Sequence, residues 1–185
     1  MTELCFVTGN KGKVAEAKAI LDVPVVAYPM ELDELQSLDL EKIVTYKVNQ
    51  AYARVGKPVF VDDVGLYIQT FNGFPGPFVK FLLEAGGNGL LLKMMSGQTD
   101  RNVIARAAIA YHDGTNIHTF IGDVNGVIAP EPRGDGGWGW DPVFIPQGKD
   151  MTYAEMGQVE KNAISHRRAA LEKLKQFLRE HGSLQ

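Results

Sequence analysis

The chain has 185 residues, of which 45% are hydrophobic and 22% are charged, and its formal net charge is -3. This length and composition predict one globular domain with a sizeable core, spanning residues 1–185. The negative charge argues against a nucleic-acid partner, and no stretch approaches the roughly 20 apolar residues of a membrane span. A single cysteine, Cys5, excludes a disulfide within the chain. Residues 1–3 lack the basic start of a secretion signal, so we expect a cytoplasmic protein.

Short apolar runs alternate with apolar residues at helical spacing. In chain order they predict a strand at 4–8, a helix at 11–21, a strand at 23–28 and a helix at 40–54. A strand follows at 59–61, and residues 66–68 either continue it or form a partner strand; a rigid loop at 72–77 and helices at 78–84 and 90–95, separated by glycines, come next. The chain then continues with a hairpin of 103–111 and 117–128 that turns at Asp113-Gly114, a loop at 130–139 and a C-terminal helix. Interleaved strands and helices with a long hairpin predict an α/β fold with a mixed sheet.

The turn after the first predicted strand has the composition of a phosphate site. Gly9 allows a close backbone approach, and Lys11 and Lys13 can neutralise negative charge at a helix start. The spacing matches neither a Walker A loop nor a dinucleotide-binding glycine motif. An ordinary turn with exposed lysines is the alternative.

Two adjacent carboxylates, Asp62 and Asp63, follow the predicted strand at 59–61. Adjacent carboxylates repel each other, and hard oxygen ligands in this position suit Mg²⁺, with Glu34 as a third candidate. Neighbouring residues of an extended chain point to opposite sides, so we expect the two aspartates to have different roles. A solvated acidic turn is the alternative.

Two tryptophans, Trp138 and Trp140, lie in a glycine-rich segment that ends at Asp141. An indole can stack on a base and a carboxylate can read its edge, whereas the alternative is a pair of core tryptophans. Further along, Ser165 is a good N-cap, and His166 and Arg167 fall in the first turn that it opens. Cations there oppose the helix dipole, which favours a bound anion over the alternative of a solvated basic patch.

Taken together, these segments resemble the inosine triphosphate pyrophosphatase family, which hydrolyses non-standard purine nucleoside triphosphates. The matching segments occur in the family's order and span nearly the whole chain: Thr8-Gly9-Asn10-Lys11, Glu34-Leu35-Gln36, Asp62-Asp63-Val64-Gly65-Leu66, Gly73-Phe74-Pro75-Gly76-Pro77-Phe78-Val79-Lys80, Gly139-Trp140-Asp141-Pro142 and Lys161-Asn162-Ala163-Ile164-Ser165-His166-Arg167. Two positions depart from the family pattern, because Val64 stands where a hydroxyl residue is common and Asp62 where Glu is common.

The resemblance implies an elongated, two-lobed α/β fold with a long mixed sheet flanked by helices and a substrate cleft between the lobes. It implies a homodimer that uses Mg²⁺ and has no nucleic-acid or membrane partner. The implied reaction is the hydrolysis of ITP, dITP and XTP to the monophosphate and pyrophosphate, by water attack on the α-phosphate. Such an activity would cleanse the nucleotide pool.

The resemblance also implies a role for each matching residue. The triphosphate would be bound by Thr8, Asn10 and Lys13, in a turn that also includes Gly9 and Lys11, and its charge would be neutralised by Lys47 and Lys80. The metal would be bound by Glu34 and Asp63, with Asp62 as a possible further ligand, and Asp63 would also be the general base. The base would stack on Trp138, in a pocket completed by Gly139, Trp140, Asp141, Lys161, His166 and Arg167. Donation from Lys161 and Arg167 to a 6-oxo group would select against adenine.

Two other functions use the same residues. One is a nucleotide- or RNA-binding module without catalysis, and the other is a phosphatase that releases phosphate. The carboxylates of Glu34, Asp62 and Asp63 favour an enzyme, because a pure polyanion binder gains nothing from acidic groups in its groove.

Overall fold

The computed structural model of the protein describes residues 3–21 and 23–181. The predicted domain of residues 1–185 reaches beyond these ranges, because residues 1–2 and 182–185 lie outside the described residues, as does residue 22. No helix in the described ranges has the length and apolar character that crossing a lipid bilayer requires.

Strands and helices alternate along the chain, as the sequence predicts. In order they are β1 (Leu4–Phe6), α1 (Lys11–Ile20), β2 (Val25–Ala27), α2 (Leu40–Val55), β3 (Val59–Ile68), a 3₁₀ turn (Gln69–Phe71), β4 (Pro75–Gly76), α3 (Val79–Met94), β5 (Asn102–His112), β6 (Ile117–Ile128), a second 3₁₀ turn (Asp141–Val143), β7 (Phe144–Pro146), α4 (Gln158–Ile164) and α5 (His166–Glu180). Every predicted strand and helix is present, with ends that differ by a few residues.

The strands form a mixed sheet in the order β2-β1-β3-β5-β6-β7, and β4 pairs with β3. β1 is parallel to both β2 and β3, whereas β4 is antiparallel to β3 and β7 is antiparallel to β6. Parallel neighbours need crossover connections, which α1 and α2 provide. The predicted α/β fold with a mixed sheet is confirmed.

The chain forms two compact units, and the first contains the residues up to Asp63, Ala107–Gly122 and the segment from Arg167 onward. Helix α2 buries Leu40, Ile43, Val44, Val48 and Ala51 in a cluster with Cys5, Val7, Val59, Val61, Ala108 and Ala110. In α5, Leu171, Leu174 and Leu178 fall at helical spacing and are buried as well.

Helix α2 is fixed at both ends by its own sequence. Asp39 is its N-cap, with Oδ1 accepting from the backbone N–H groups of Glu41 and Lys42 at 3.1 and 3.3 Å. Gly56 ends the helix with a φ of 69°, in the left-handed region that glycine adopts without strain. A helix capped at both ends holds Lys47, near its middle, in a defined position.

The second unit contains Val64–Arg106 and Asp123–His166. Its core includes Leu66, Ile68, Val79, Leu82, Leu91, Met95, Val103, Ala105, Ile128, Trp140, Val143, Phe144, Tyr153 and Met156. The predicted break between two helices at 86–89 is a kink inside α3, where Gly87 has a φ of 61° and a ψ of -162°. Residues 66–68 continue β3 rather than forming a partner strand.

Two strands and one helix of the second unit were not predicted, namely β4, which lies within the predicted loop at 72–77, β7 and α4. β7 has three residues and ends at Pro146, so its sequence lacks the alternation that marks a strand. α4 has seven residues, and Val159 in its first turn is 86% exposed. Elements this short owe their structure to tertiary packing rather than to a local pattern.

Candidate active site

The turn between β1 and α1 is closed by its own side chains. Asn10 is the N-cap of α1, and its Oδ1 accepts from the backbone N–H groups of Gly12 and Lys13 at 2.9 and 3.2 Å. The backbone N–H of Asn10 donates to Oγ1 of Thr8 at 3.1 Å. Gly9 is exposed, with no atom within 4 Å of the place where a Cβ would stand. The turn therefore presents an open backbone and places Lys13 on the first helical turn.

Four side chains of alternating charge in the first unit, Lys13, Asp62, Arg167 and Glu16, contact one another in series, and we call them the Lys13 charge chain. Nζ of Lys13 lies 2.9 Å from Oδ1 of Asp62, and the other oxygen of Asp62 accepts from Nε of Arg167 at 2.9 Å. Nη1 of Arg167 donates to Oε2 of Glu16 at 2.7 Å. Three of the four side chains are nearly inaccessible, at 2–4% exposed, whereas Lys13 is 17% exposed. The chain of charges thus runs from the protein interior to the surface at Lys13.

The charge of Asp62 is stabilised by its two cations. Burial by itself raises the pKa of this carboxyl, but the charges of Lys13 and Arg167 outweigh burial and lower the pKa to about 2. The same attraction, from Asp62 and Glu16, raises the pKa of Arg167 against the opposing effect of its own burial. Asp62 is therefore ionised at neutral pH.

Asp63, the next residue, belongs to a different group of charges. Nζ of Lys47 lies 3.0 Å from Oδ2 of Asp63 and 3.3 Å from Oε1 of Glu34. Burial lowers the pKa of Lys47, but the charge of Asp63 and then that of Glu34 raise it by more, so the pKa is raised. Two carboxylates thus converge on one cation, and both are open to solvent, at 23% exposed for Asp63 and 43% for Glu34.

The second unit holds a compact group around Asp141. Oδ2 of Asp141 accepts from the backbone N–H of Trp138 at 2.7 Å and from Nζ of Lys161 at 2.5 Å. Nζ of Lys161 also lies 4.0 Å from the centroid of the Trp138 ring, close enough for a cation–π contact. Gly137 is required here, because a Cβ at this residue would overlap with Oδ2 of Asp141. Asp141 and Lys161 are buried, whereas Trp138 is 38% exposed.

The two tryptophans have different environments. Trp140 is 6% exposed and contacts Phe144 edge-on, with ring centroids 5.4 Å apart. The His166 ring lies 5.2 Å from Trp140 and 6.3 Å from Tyr153, and it is 4% exposed. Trp140 therefore corresponds to the core alternative considered for the pair. Trp138 has the accessible indole that a stacking role needs.

The remaining predicted residues are exposed. Lys80 lies in the first turn of α3, with Nζ 6.0 Å from the ring centroid of Phe81. Gly139 is exposed, with a φ of 64°, and its carbonyl accepts from Nδ2 of Asn88 at 3.0 Å. Lys11 is exposed at the first position of α1.

The structure thus brings the predicted site residues together in three groups. The first unit contains the Lys13 charge chain and the Lys47 group, and the second unit contains the Asp141 group. Arg167 was predicted to complete the base pocket with Asp141 and Lys161. It contacts Asp62 and Glu16 in the first unit, and its role in the base pocket stays a prediction.

The model of the Ham1 family matches residues 4–177. The chain belongs to the Ham1 family. It is 42% identical over 181 residues to a Thermococcus kodakarensis protein named dITP/XTP pyrophosphatase, covering 96% of this chain and 98% of that protein. A Methanopyrus kandleri protein of the same name is 41% identical, with 95% of each chain covered. The structure of a HAM1 protein from Coxiella burnetii has a TM-score of 0.88 at 30% identity, covering 97% of this chain and all of that chain. The resemblance predicted from the sequence is confirmed.

Membership in the Ham1 family raises the question of whether the residues present can hold Mg²⁺. Within residues 3–21 and 23–181, no group of three or more His, Cys, Asp and Glu side chains could hold a metal ion. Glu34 and Asp63 nevertheless already share one cation, the ammonium of Lys47. Mg²⁺ is commonly bound by one or two carboxylates plus substrate phosphates and water, so this pair fits the ion when a phosphate supplies further ligands.

Sequence reasoning missed two residues of these groups in the Ham1-family chain. The side chain of Glu16 is 2% exposed and pairs with Arg167, although Glu16 was not among the candidates. The available signal was its position four residues before the buried Ile20, which places a carboxylate on the inner face of α1. Tyr153 is fully buried, with its ring centroid 5.5 Å from Nζ of Lys161. No local pattern marks Tyr153, because its partners, such as Phe144 and Lys161, lie outside its own short segment and meet it only through tertiary packing.

Proposed function

We propose that this Ham1-family chain hydrolyses the triphosphates of non-standard purines, ITP, dITP and XTP, to the monophosphate and pyrophosphate. The observation that carries the proposal is the convergence of Glu34 and Asp63 on Lys47. Relatives that match 95–96% of the chain at 41–42% identity are named dITP/XTP pyrophosphatase, which supports this choice of substrates.

Attack on a phosphorus of a triphosphate chiefly requires neutralisation of charge and alignment of the reacting atoms. In the proposal, Lys13, Lys47 and Lys80 provide the positive charge, and the open turn at Gly9 and Asn10 provides backbone N–H groups. Lys13 and Lys47 are held by carboxylates at 2.9–3.3 Å, so they are already oriented before a phosphate binds. Orientation before binding reduces the reorganisation that the reaction has to drive.

Asp63 is the proposed general base. Its carboxylate is partly exposed and lies beside Lys47, so it can accept a proton from a water molecule while Lys47 contacts a phosphate oxygen. Asp62 is the less suitable neighbour, because both of its oxygens accept from cations and its pKa is lowered to about 2. A carboxyl with so low a pKa is a weak base.

Glu34 and Asp63 are the proposed Mg²⁺ ligands, together with phosphate oxygens of the substrate. When bound, the ion supplies Lewis-acid stabilisation of negative charge on the phosphate oxygens. Asp62 can join this set only if Lys13 or Arg167 releases one of its oxygens. The residues of this chain orient the phosphate, position the water and accept its proton.

Trp138 is the proposed stacking platform for the base, because its indole is accessible and its backbone is anchored to Asp141. In the proposal, Gly139, Asp141, Lys161, His166 and Arg167 form or support the pocket, and Trp140 supports it from the core. Cationic donors facing a 6-oxo group favour hypoxanthine and xanthine. They disfavour adenine, whose 6-amino group leaves them unpaired.

The proposal includes a cytoplasmic homodimer that cleanses the nucleotide pool and has no nucleic-acid or membrane partner. Its basis is the net charge of -3, the single cysteine and the family resemblance. Size-exclusion chromatography with light scattering tests the dimer, for which the expected mass is twice the 20.3 kDa of one chain. A mass of one chain would contradict it.

The decisive experiment is product analysis with ITP, XTP, ATP and GTP, each with Mg²⁺ and with a chelator. Pyrophosphate and phosphate are scored separately. We expect pyrophosphate from ITP and XTP in the presence of Mg²⁺ and little from ATP. Release of phosphate would favour the phosphatase alternative. Tight binding without any turnover would favour a non-catalytic nucleotide-binding module.

A further inference from the structure

Glu16 is a buried carboxylate that the proposed reaction does not use. Its side chain is 2% exposed, and its Oε2 accepts from Nη1 of Arg167 at 2.7 Å. Its Oε1 is buried and, within the part of the chain that the structure describes, has no hydrogen-bond partner. A buried carboxylate oxygen without a partner costs free energy, so the charge of this side chain depends on its contact with Arg167.

The contacts of Glu16 lead step by step to the surface. Arg167 joins Glu16 to Asp62 through two different nitrogens, and Asp62 joins Arg167 to Lys13 through two different oxygens. Two cations therefore alternate with two carboxylates, and the formal charge of the four groups is zero. Lys13 is the member that solvent reaches, at 17% exposed. If Glu16 lost its charge, the strength of the contacts among Arg167, Asp62 and Lys13 would change.

Loss of the Glu16 charge would weaken the contact between Asp62 and Lys13. With Glu16 ionised, Arg167 is neutralised from both sides, and Asp62 is shared between Arg167 and Lys13. Without that charge, Arg167 has Asp62 as its remaining partner among these groups, so it attracts Asp62 more strongly. Asp62 then holds Lys13 less tightly, and more of the positive charge of Lys13 is available to an anion.

We propose that Glu16 is a positioning residue which, through Arg167 and Asp62, holds Lys13 and limits how strongly Lys13 attracts a polyphosphate. This inference rests on the proposed function only in taking Lys13 as a phosphate-binding residue. Its consequence for turnover is that Glu16 opposes overly tight binding of the triphosphate in the ground state. Binding that is equally strong in the ground and transition states does not accelerate the chemical step.

The test is the affinity for inorganic tripolyphosphate, measured by calorimetry at low salt, because this probe has no base and needs no turnover. Glu16→Gln keeps the size of the side chain and removes its charge. We expect tripolyphosphate to bind Glu16→Gln about three- to tenfold more tightly than the unmodified chain, since one charge is removed close to Lys13. Glu16→Asp keeps the charge and should bind within about twofold of the unmodified chain.

The matched control is Glu172→Gln, which removes the carboxylate that pairs with the neighbouring Arg168 at 2.8 Å on the half-exposed side of α5. It should leave tripolyphosphate affinity unchanged. A double-mutant cycle with Lys13→Ala then separates transmission through Lys13 from a general change in charge. In the Lys13→Ala background, Glu16→Gln should have no further effect on affinity.

Unchanged or weaker tripolyphosphate binding in Glu16→Gln would overturn the proposal, as would a gain that persists without Lys13. Equal shifts in Glu16→Gln and Glu16→Asp would also overturn it, because charge would not be the cause. If Glu16→Gln does not fold, Asp62→Asn releases Lys13 directly, and weaker binding in that variant overturns the proposal. Failure of the proposed function has a different signature, namely the absence of ITP turnover in the unmodified chain.

Discussion

Asp62 and Asp63 are neighbours in β3, yet each is bound by a different set of cations. Asp62 contacts Lys13 and Arg167, each at 2.9 Å, whereas Asp63 contacts Lys47 at 3.0 Å. Alternation along a strand directs the two carboxylates to opposite sides, and only Asp63 remains substantially accessible, at 23% against 2% for Asp62. The pair therefore divides into a buried structural anion and an accessible one suited to chemistry.

Asp63→Asn should abolish most turnover of ITP while leaving the fold intact. Removing a general base lowers kcat by about 10²- to 10⁴-fold, and loss of one partly exposed ion pair changes the free energy of unfolding by about 1 kcal/mol or less. Steady-state kinetics and urea unfolding measure the two effects. Asp123→Asn, which removes the partner of Arg106 at 2.7 Å, is the control and should retain kcat. Full activity in Asp63→Asn would remove Asp63 from the mechanism.

Arg167→Ala should narrow the preference for ITP over ATP and also destabilise the fold. Two buried carboxylates lose their shared partner, and breaking a buried ion pair commonly costs about 3–5 kcal/mol. Arg168→Ala is the matched control, because its partner Glu172 is 41% exposed and an exposed pair contributes about 0–1 kcal/mol. The ratio of kcat/KM for ITP and ATP, measured below the unfolding temperature, separates the effects. An unchanged ratio in folded Arg167→Ala would remove Arg167 from base selection.

Acid should weaken the contribution of Asp62 to stability. The folded carboxyl has a pKa of about 2 against 3.8 as its ordinary value, so the unfolded chain binds its proton more readily. The contribution is complete above about pH 4 and is lost as the pH falls toward 2, by about 2 kcal/mol in total. Urea unfolding of the unmodified chain and Asp62→Asn across this range measures the difference. A stability gap that does not shrink on acidification would contradict the assignment.

The two tryptophans should separate binding from stability. Trp138→Ala removes an accessible indole and should weaken ITP binding by about 1–3 kcal/mol, the usual contribution of a base stack. Trp140→Ala removes a core side chain that packs on Phe144, which commonly costs about 3–5 kcal/mol of stability. Trp138→Ala should therefore have the larger effect in nucleotide titrations, and Trp140→Ala the larger effect in thermal unfolding. The same ranking in both measurements would argue against a stacking role for Trp138.

The sequence predicted most of the fold because most elements carry a local signal. α2 shows an apolar face over four turns, which predicts a helix at 40–54, and the structure caps this helix with Asp39 and Gly56. The short β4, β7 and α4 were missed, because two, three or seven residues carry too little periodicity to be recognised. Whether residues 66–68 extend β3 or pair with it is decided by the sheet as a whole, which no local pattern encodes.

The candidate site was only partly predictable, for a related reason. The residue types that bind phosphate, metal and base are visible in the sequence, but their partners are not. Arg167 and Glu16 are 151 residues apart in the chain, and Lys161 and Asp141 are 20 apart. Separations of this kind reflect tertiary packing, so the sequence could not show that Arg167 joins the charges of Lys13 and Asp62.

The most direct test of the central claim is the fate of solvent oxygen during turnover of ITP. The reaction is run with Mg²⁺ in ¹⁸O-labelled water, and the phosphorus spectra of the products locate the label. Water attack on the α-phosphorus predicts ¹⁸O in the monophosphate and unlabelled pyrophosphate. Label in pyrophosphate, or labelled inorganic phosphate as the product, would contradict the proposed reaction at this site.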